Sequence, residues 1–179
     1  MGASENTDLT NASIANSSFP VHNELPPGML LPTRRKAVIM GSLMVSLLLA
    51  ALDQTIVAVA LPQIVADLDG LDLFAWPLTS YLLSATVAFP IIGRLSDIHG
   101  RKPFLLAGIV IFLSGSALAG LSGSMTELII FRALQGLGAG LIMSTTFSVL
   151  GDLFSPAERG RWIGLFVAVW ALASVIGPV

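Results

Sequence analysis

Apolar residues along this chain come in long blocks that are separated by short polar segments. Five blocks approach the length of a membrane-spanning helix, which needs about 20 apolar residues, and they cover residues 37–61, 74–93, 103–121, 128–150 and 162–179. Helix is predicted for each block because an open strand would leave backbone groups unpaired in lipid. The pattern therefore predicts an all-α, polytopic transmembrane helical bundle with four complete spans and a partial fifth, which is still apolar at Val179.

The segment before the first block has the opposite character. Residues 1–36 are rich in Asn, Ser, Thr and Pro and contain few large apolar side chains. Such a segment cannot bury enough surface to offset the entropy lost on ordering, so we predict a disordered tail. The chain then divides into this tail and a membrane domain over residues 37–179.

Composition excludes several classes of function. The chain is 54% hydrophobic and 11% charged, whereas soluble domains carry about 25% charged residues. It has no Cys and only two His, which are far apart in the sequence, so no metal site is predicted. The net charge of −2 gives no reason to expect a nucleic-acid partner. No Ser–His, Ser–Lys or paired-carboxylate pattern indicates catalysis, so an enzyme is not predicted.

The distribution of basic residues predicts the orientation in the membrane. Every Lys and Arg except Arg132 lies in the tail, in the loop after the second block or in the loop after the fourth block. The other two loops hold acidic residues and no basic ones. Because cytoplasmic loops carry the excess of Lys and Arg, we predict a multi-pass protein of the plasma membrane with a cytoplasmic N-terminus.

Two ionisable residues, Asp53 and Arg132, lie well inside the apolar blocks. Each costs about 2.5–3.5 kcal/mol to place at the centre of a membrane helix. Asp53 lies about 13 Å from the outer end of its span, and Arg132 lies about 10 Å from the same face. Matching depths predict an ion pair or a shared aqueous cavity, in which Asp53 could bind and release a proton. A static salt bridge that fixes two helices is the alternative.

Three segments of the chain resemble signatures of the major facilitator superfamily. Residues 93–102 read GRLSDIHGRK, similar to the family's G-x-L-[AS]-D-x-x-G-R-[KR] loop, and residues 132–139 read RALQGLGA, similar to R-x-x-Q-G-x-G-A. Residues 52–62 read LDQTIVAVALP, which resembles L-D-x-T-I-V-x-x-A-L-P of the drug:proton antiporter subfamily with about fourteen spans, the EmrB/QacA group. The resemblance implies a fold built from two six-helix halves, to which this subfamily adds two helices.

The fifth block matches an exporter signature in part. The signature is G-x(8)-G-x(3)-G-P-x-x-G-G, and Gly164, Gly177 and Pro178 fit it. Ala173 replaces one Gly, and the chain ends before the final pair. The resemblance therefore implies an exporter, and we expect this chain to be its N-terminal fragment.

The resemblance also implies roles for single residues. Asp53 would be the proton or cation site, and Arg132 would tune it. Gln135 and Thr55 are candidates for the wall of the substrate cavity. A loop that latches the two halves of the transporter, with a solvated loop as the alternative, would contain Gly93, Asp97, Gly100, Arg101 and Lys102. Gly136 and Gly140, in G-x-x-x-G spacing, would pack helices together, as would the glycines of the exporter motif.

The function predicted from these features is proton-coupled export of small apolar or cationic drug-like molecules. The energy would come from the proton gradient, so no cofactor is expected. Protons, the substrate and the lipid bilayer are the expected partners. An exporter of one specific metabolite and a transport-inactive membrane fragment are the alternatives.

Overall fold

A computed structural model describes residues 31–177 of the chain. Within this range the protein forms five long α-helices, one short 3-10 helix and no strand. They are α1 (Thr33–Asp67), the 3-10 helix (Leu71–Leu73), α2 (Trp76–His99), α3 (Arg101–Gly120), α4 (Met125–Leu153) and α5 (Pro156–Ile176). All five α-helices are long and apolar enough to cross a membrane, so the predicted all-α transmembrane class is confirmed. The predictions for tail residues 1–30 and for Pro178 lie outside the described residues.

The first helix is longer at both ends than the sequence predicted. It begins at Thr33, after Pro32 at the N-cap, so residues 34–36 form its first turn rather than part of a disordered tail. Arg and Lys are good helix formers, which allows the helix to start this early. It also continues past Pro62 to Asp67. Membrane helices tolerate an internal Pro because neighbouring groups satisfy the freed carbonyl.

The last helix begins six residues earlier than predicted. Ser155 and Glu158 form a capping box, with the Ser155 amide donating to Glu158 Oε2 at 3.1 Å, and Pro156 occupies the first turn. Arg159 donates to the Gly151 carbonyl at 2.7 Å and thereby closes the end of α4. With 21 residues, α5 is long enough to cross a membrane, so this span is longer than the sequence indicated.

The turn between α2 and α3 is shorter than the predicted loop. α2 continues to His99 and α3 starts at Arg101, so the turn consists of Gly100. This residue has φ 88° and ψ 152°, a conformation that is essentially restricted to glycine. Gly93, which the sequence placed in the same loop, lies inside α2, where an added Cβ would be 3.3 Å from Ser144 Oγ of α4.

α4 is the central helix of the bundle. It packs closely against α2 on one side and α3 on the other, while α5 packs mainly on α1. Glycines of α4 permit these close contacts. A Cβ added at Gly138 would lie 2.5 Å from the Phe112 nitrogen of α3, and a Cβ added at Gly140 would lie 2.7 Å from the Ala85 oxygen of α2. Gly136 lies against the backbone of Tyr81 in the same way. Large apolar side chains are exposed on the outer faces, as expected for helices in lipid, among them Val45, Ile56, Leu83, Val110, Val167 and Val175.

Candidate functional site

Asp53 of α1 and Arg132 of α4 form an ion pair inside the bundle. Arg132 Nη1 lies 2.7 Å from Asp53 Oδ2. The side chain of Arg132 is 1% exposed and that of Asp53 is 13% exposed. The two intramembrane charges that the sequence placed at similar depth are therefore in direct contact.

Gln135 completes a triangle with this pair. Its Oε1 accepts from Arg132 Nη1 at 2.8 Å, and its Nε2 donates to Asp53 Oδ1 at 2.7 Å. Residues three apart on a helix share one face, which is why Arg132 and Gln135 reach the same carboxylate. Gln135 is fully buried, so the structure places it in the ionic site and not on a cavity wall.

Two further helices contribute side chains that the sequence did not single out for this site. Ser116 of α3 donates from its hydroxyl to Asp53 Oδ1 at 3.4 Å. The ring of Tyr81 in α2 lies 4.5 Å from Arg132 Cζ, within the range of a cation–π contact. Four helices thus converge on one place. The name charged centre is used below for this group of Asp53, Ser116, Tyr81, Arg132 and Gln135.

The charged centre is electrically neutral when Asp53 is ionised. The ion pair between Asp53 and Arg132 is needed for the stability of the folded protein. Removing one partner of a buried ion pair costs roughly 3–5 kcal/mol, because the remaining charge stays uncompensated. Within residues 31–177, Arg132 Nε and Nη2 have no hydrogen-bond partner. If a proton binds to Asp53, the net charge of the centre changes from zero to +1, and the ion pair that links α1 to α4 is lost.

A cavity of about 300 Å³ lies next to the charged centre, between α1, α2, α4 and α5. Tyr81 belongs to both, and Gln54 on the cavity wall is the neighbour of Asp53 in the chain. The wall is otherwise almost entirely apolar: its residues are Leu47, Ala50, Gln54, Tyr81, Leu82, Ala85, Thr86, Phe89, Met143 and Trp170. Residues 47, 50 and 54 lie on one face of α1, and this spacing was the signal in the sequence that could have indicated the cavity.

Neither of the two residues predicted for the cavity wall lines this cavity. Gln135 is held by Asp53 and Arg132, as described above. Thr55 faces α5 instead, because its hydroxyl lies 2.9 Å from the Leu52 carbonyl and 3.3 Å from the Ala173 carbonyl. Gly177 at the end of α5 lies directly against Thr55, so an added Cβ there would clash. Gly164 faces open space within the described residues.

Arg101, just after the Gly100 turn, is the centre of a second ionic group. Its Nη2 lies 3.2 Å from Asp97 Oδ1, and its Nη1 contacts the Asp152 carboxylate and the Ser148 carbonyl of α4. Asp152 was missed by the sequence analysis, although its position at the end of an apolar block beside a basic loop was a usable signal. Lys102 is exposed and forms no ion pair with any described residue. In residues 31–177 no group of three His, Cys, Asp or Glu side chains could hold a metal ion.

The sequence of this chain is similar to those of known membrane transporters. Residues 43–179 match the model of the Major Facilitator Superfamily. Multidrug resistance protein 3 of Bacillus subtilis (strain 168) is 48% identical over 144 residues, which cover 80% of this chain and 28% of that protein. The multidrug transporter protein MdtP of the same organism is 45% identical over 144 residues, covering 80% and 27%. The efflux pump dotC of Dothistroma septosporum (strain NZE10 / CBS 128990) is 40% identical over 148 residues, covering 83% and 26%. The chain thus spans about a quarter of the length of these curated relatives.

Proposed function

This chain belongs to the major facilitator superfamily, and on that premise we propose that its five helices form one wall of a proton-coupled multidrug exporter. The observation that carries the proposal is the buried ion pair of Asp53 and Arg132 beside an apolar cavity. An intramembrane charge pair of this kind is typical of a proton or ion pathway. The names of the relatives, two multidrug proteins and an efflux pump, support the direction of transport.

In this proposal Asp53 is the proton site and Arg132 tunes it. Protonation removes the negative charge that Arg132 requires, so the contact between α1 and α4 weakens and the helices can rearrange. Gln54 and Tyr81 connect this event to the cavity, because both line it, Tyr81 belongs to the charged centre and Gln54 follows Asp53 in the chain. Proton binding and substrate binding would therefore compete, as an antiport cycle requires.

The chemistry of the cavity wall indicates the class of substrate. Aromatic rings of Tyr81, Phe89 and Trp170 and several aliphatic side chains favour small apolar or cationic drug-like molecules. Its volume of about 300 Å³ is at the lower end of typical ligand sites, which measure roughly 300–1,000 Å³. We propose that parts of the transporter outside these five helices supply the opposite wall.

The proposed orientation places the Gly100 turn and the ionic group of Arg101 on the cytoplasmic side of the plasma membrane. Residues 1–179 contain no Cys, so a Cys introduced here reports its own location once any Cys elsewhere in the full-length transporter has been replaced. Ser122→Cys should react with a membrane-impermeant maleimide added outside intact cells, and Ala157→Cys should react only after permeabilisation. The reverse pattern would contradict the orientation.

The coupling itself is tested with the full-length transporter in proteoliposomes. Vesicles with an acidic lumen should accumulate ethidium through the protein, and collapsing the pH gradient with nigericin should stop the accumulation. Protein-free liposomes are the control. Ethidium uptake that does not depend on the gradient would contradict proton coupling, and failure to transport ethidium or other cationic dyes would favour a metabolite-specific exporter or an inactive protein.

A further inference from the structure

In the charged centre, every hydrogen bond of the Asp53 carboxylate suits its ionised form. Oδ2 accepts from Arg132 Nη1 at 2.7 Å. Oδ1 accepts from Gln135 Nε2 at 2.7 Å and from the Ser116 hydroxyl at 3.4 Å. All three partners act as donors, so the protonated carboxyl needs an acceptor that this arrangement does not yet provide.

Arg132 and Gln135 cannot supply that acceptor without loss. A guanidinium has no acceptor atom, so a proton on Oδ2 would face a donor. Gln135 could turn its Oε1 toward Asp53, but its Nε2 would then point at Arg132 Nη1 in place of the oxygen that now accepts at 2.8 Å. That rotation replaces one hydrogen bond with a contact between two donors, and Gln135 is too deeply buried for water to compensate.

Ser116 differs from the other two because a hydroxyl has both a donor and lone pairs. We propose that Ser116 of α3 is the positioning residue that accepts a hydrogen bond from protonated Asp53, an inference that rests on the proposed role of Asp53 as the proton site. The proton comes from water outside the membrane and bonds to Oδ1. No other covalent bond forms or breaks, and the Ser116 hydrogen only changes direction.

The reoriented hydroxyl has an acceptor on its own helix. A serine in a helix can donate to the carbonyl four residues earlier. Ser42 does so to Val38 at 3.0 Å, and Ser174 does so to Trp170 at 3.0 Å. For Ser116 the corresponding carbonyl is that of Phe112, in the same helix α3. The hydroxyl can therefore switch between donating to ionised Asp53 and accepting from protonated Asp53.

Other ionisable groups near Asp53 are few among the described residues. Arg132 contacts Asp53 from α4, and Tyr81 of α2 interacts with it electrostatically. The ionisable residues of α3 and α5 lie within six residues of the start of each helix, whereas Ser116 is the sixteenth residue of α3. A change at Ser116 therefore alters the hydrogen bonding of Asp53 without altering the charges around it.

The experiment is a pH titration by infrared difference spectroscopy on the purified full-length transporter. The band of interest is the carbonyl stretch of protonated Asp53, which Asp53→Asn identifies by removing it. In Ser116→Ala this band should move to higher frequency, because the acid has lost its acceptor. The pH at which the band reaches half its height should fall by about half a unit to one unit. The midpoint falls because the protonated form loses its acceptor, whereas the ionised form loses only the long 3.4 Å bond from Ser116 and keeps the bonds from Arg132 and Gln135.

Two matched variants complete the test. Ser114→Ala removes an exposed hydroxyl of the same helix, which donates to the Ile111 carbonyl, and it should keep the wild-type band and midpoint. Ser116→Thr retains the hydroxyl and should do the same. A Ser116→Ala band that matches Ser114→Ala overturns the inference, as does a Ser116→Thr band that shifts like Ser116→Ala. If no band depends on Asp53 at any pH, the proposed role of Asp53 as the proton site fails as well. This result differs from failure of the Ser116 inference alone, in which the Asp53 band is present but does not respond to Ser116→Ala.

Discussion

At the scale of single residues, Arg132 organises the middle of the bundle. Its Nη1 donates to both Asp53 and Gln135, and its guanidinium plane lies over the Tyr81 ring. One side chain of α4 thus contacts α1 and α2 at once. A Lys ammonium has enough donors for both bonds, but it lacks the planar guanidinium that contacts the Tyr81 ring, and its shorter side chain does not reach the position of Nη1.

We therefore expect Arg132→Lys to fold with a lower melting temperature and to lose gradient-driven transport about tenfold or more. A hydrogen bond to a charged group contributes roughly 1.5–3 kcal/mol, and 1.4 kcal/mol corresponds to a factor of ten. Ethidium transport and thermal unfolding in detergent would be measured together. Arg161→Lys, at an exposed position of α5, is the control, and equal behaviour of the two variants would contradict the assigned contacts.

The ion pair could be predicted from sequence, whereas its remaining partners could not. A charge inside an apolar span is costly, so Asp53 and Arg132 must find each other or water. Ser116 and Tyr81 carry no such cost in a membrane helix, since a Ser hydroxyl can bond its own backbone. Their place in the charged centre depends on how α2 and α3 are rotated about their axes, which one sequence does not reveal.

At the scale of helices, the close approach of α3 to α4 depends on Gly138. An added Cβ at this position would lie 2.5 Å from the Phe112 nitrogen, which is backbone and cannot move aside. Gly138→Ala should therefore destabilise the protein by about 1–3 kcal/mol, the usual cost of overpacking. Gly41→Ala in α1 meets nothing within 4 Å among the described residues and is the control. Equal thermal stability of both variants would contradict the packing.

The ionic group around Arg101 connects the α2–α3 turn to the end of α4. We propose that Asp97, which the resemblance assigns to the latch loop, helps to hold the outward-facing state; Asp152 contacts the same Arg101 guanidinium. We expect Asp97→Asn and Asp152→Asn each to shift the population toward the inward-facing state. Accessibility of a single introduced Cys on the outer side would measure this shift as slower labelling. If Asp152→Asn labels at the wild-type rate, Asp152 has no part in the latch.

Helix ends were the least predictable feature at this scale. Hydropathy places the apolar centre of a span, but the ends are decided by polar contacts. The capping box of Ser155 and Glu158 starts α5 before its apolar block, and a hydrogen bond from Gln63 to Asp67 at 3.0 Å lies in the last turn of α1 beyond Pro62. Such local signals were present in the sequence, but apolar block length alone did not reveal them.

At the scale of the whole molecule, the fold class followed from hydropathy because the bilayer permits few alternatives to a helix. The arrangement of the helices followed less directly. The glycines of α4 mark it as a tightly packed helix, yet which glycine faces α2 and which faces α3 becomes clear only in three dimensions. The cavity was unpredictable in detail for the same reason, since four helices each contribute one part of its wall.

We propose that Asp53 couples transport to protons rather than merely holding two helices together. The most direct test measures Asp53→Asn in proteoliposomes under two conditions: ethidium accumulation driven by a pH gradient, and ethidium exchange without a gradient. Asp69→Asn is the control, because Asp69 lies in the loop after α1 with φ 46°, a conformation that Asn also tolerates. We expect Asp53→Asn to lose accumulation by more than about tenfold and to retain exchange, while Asp69→Asn behaves like the wild type. Gradient-driven accumulation by Asp53→Asn at the wild-type level would contradict it.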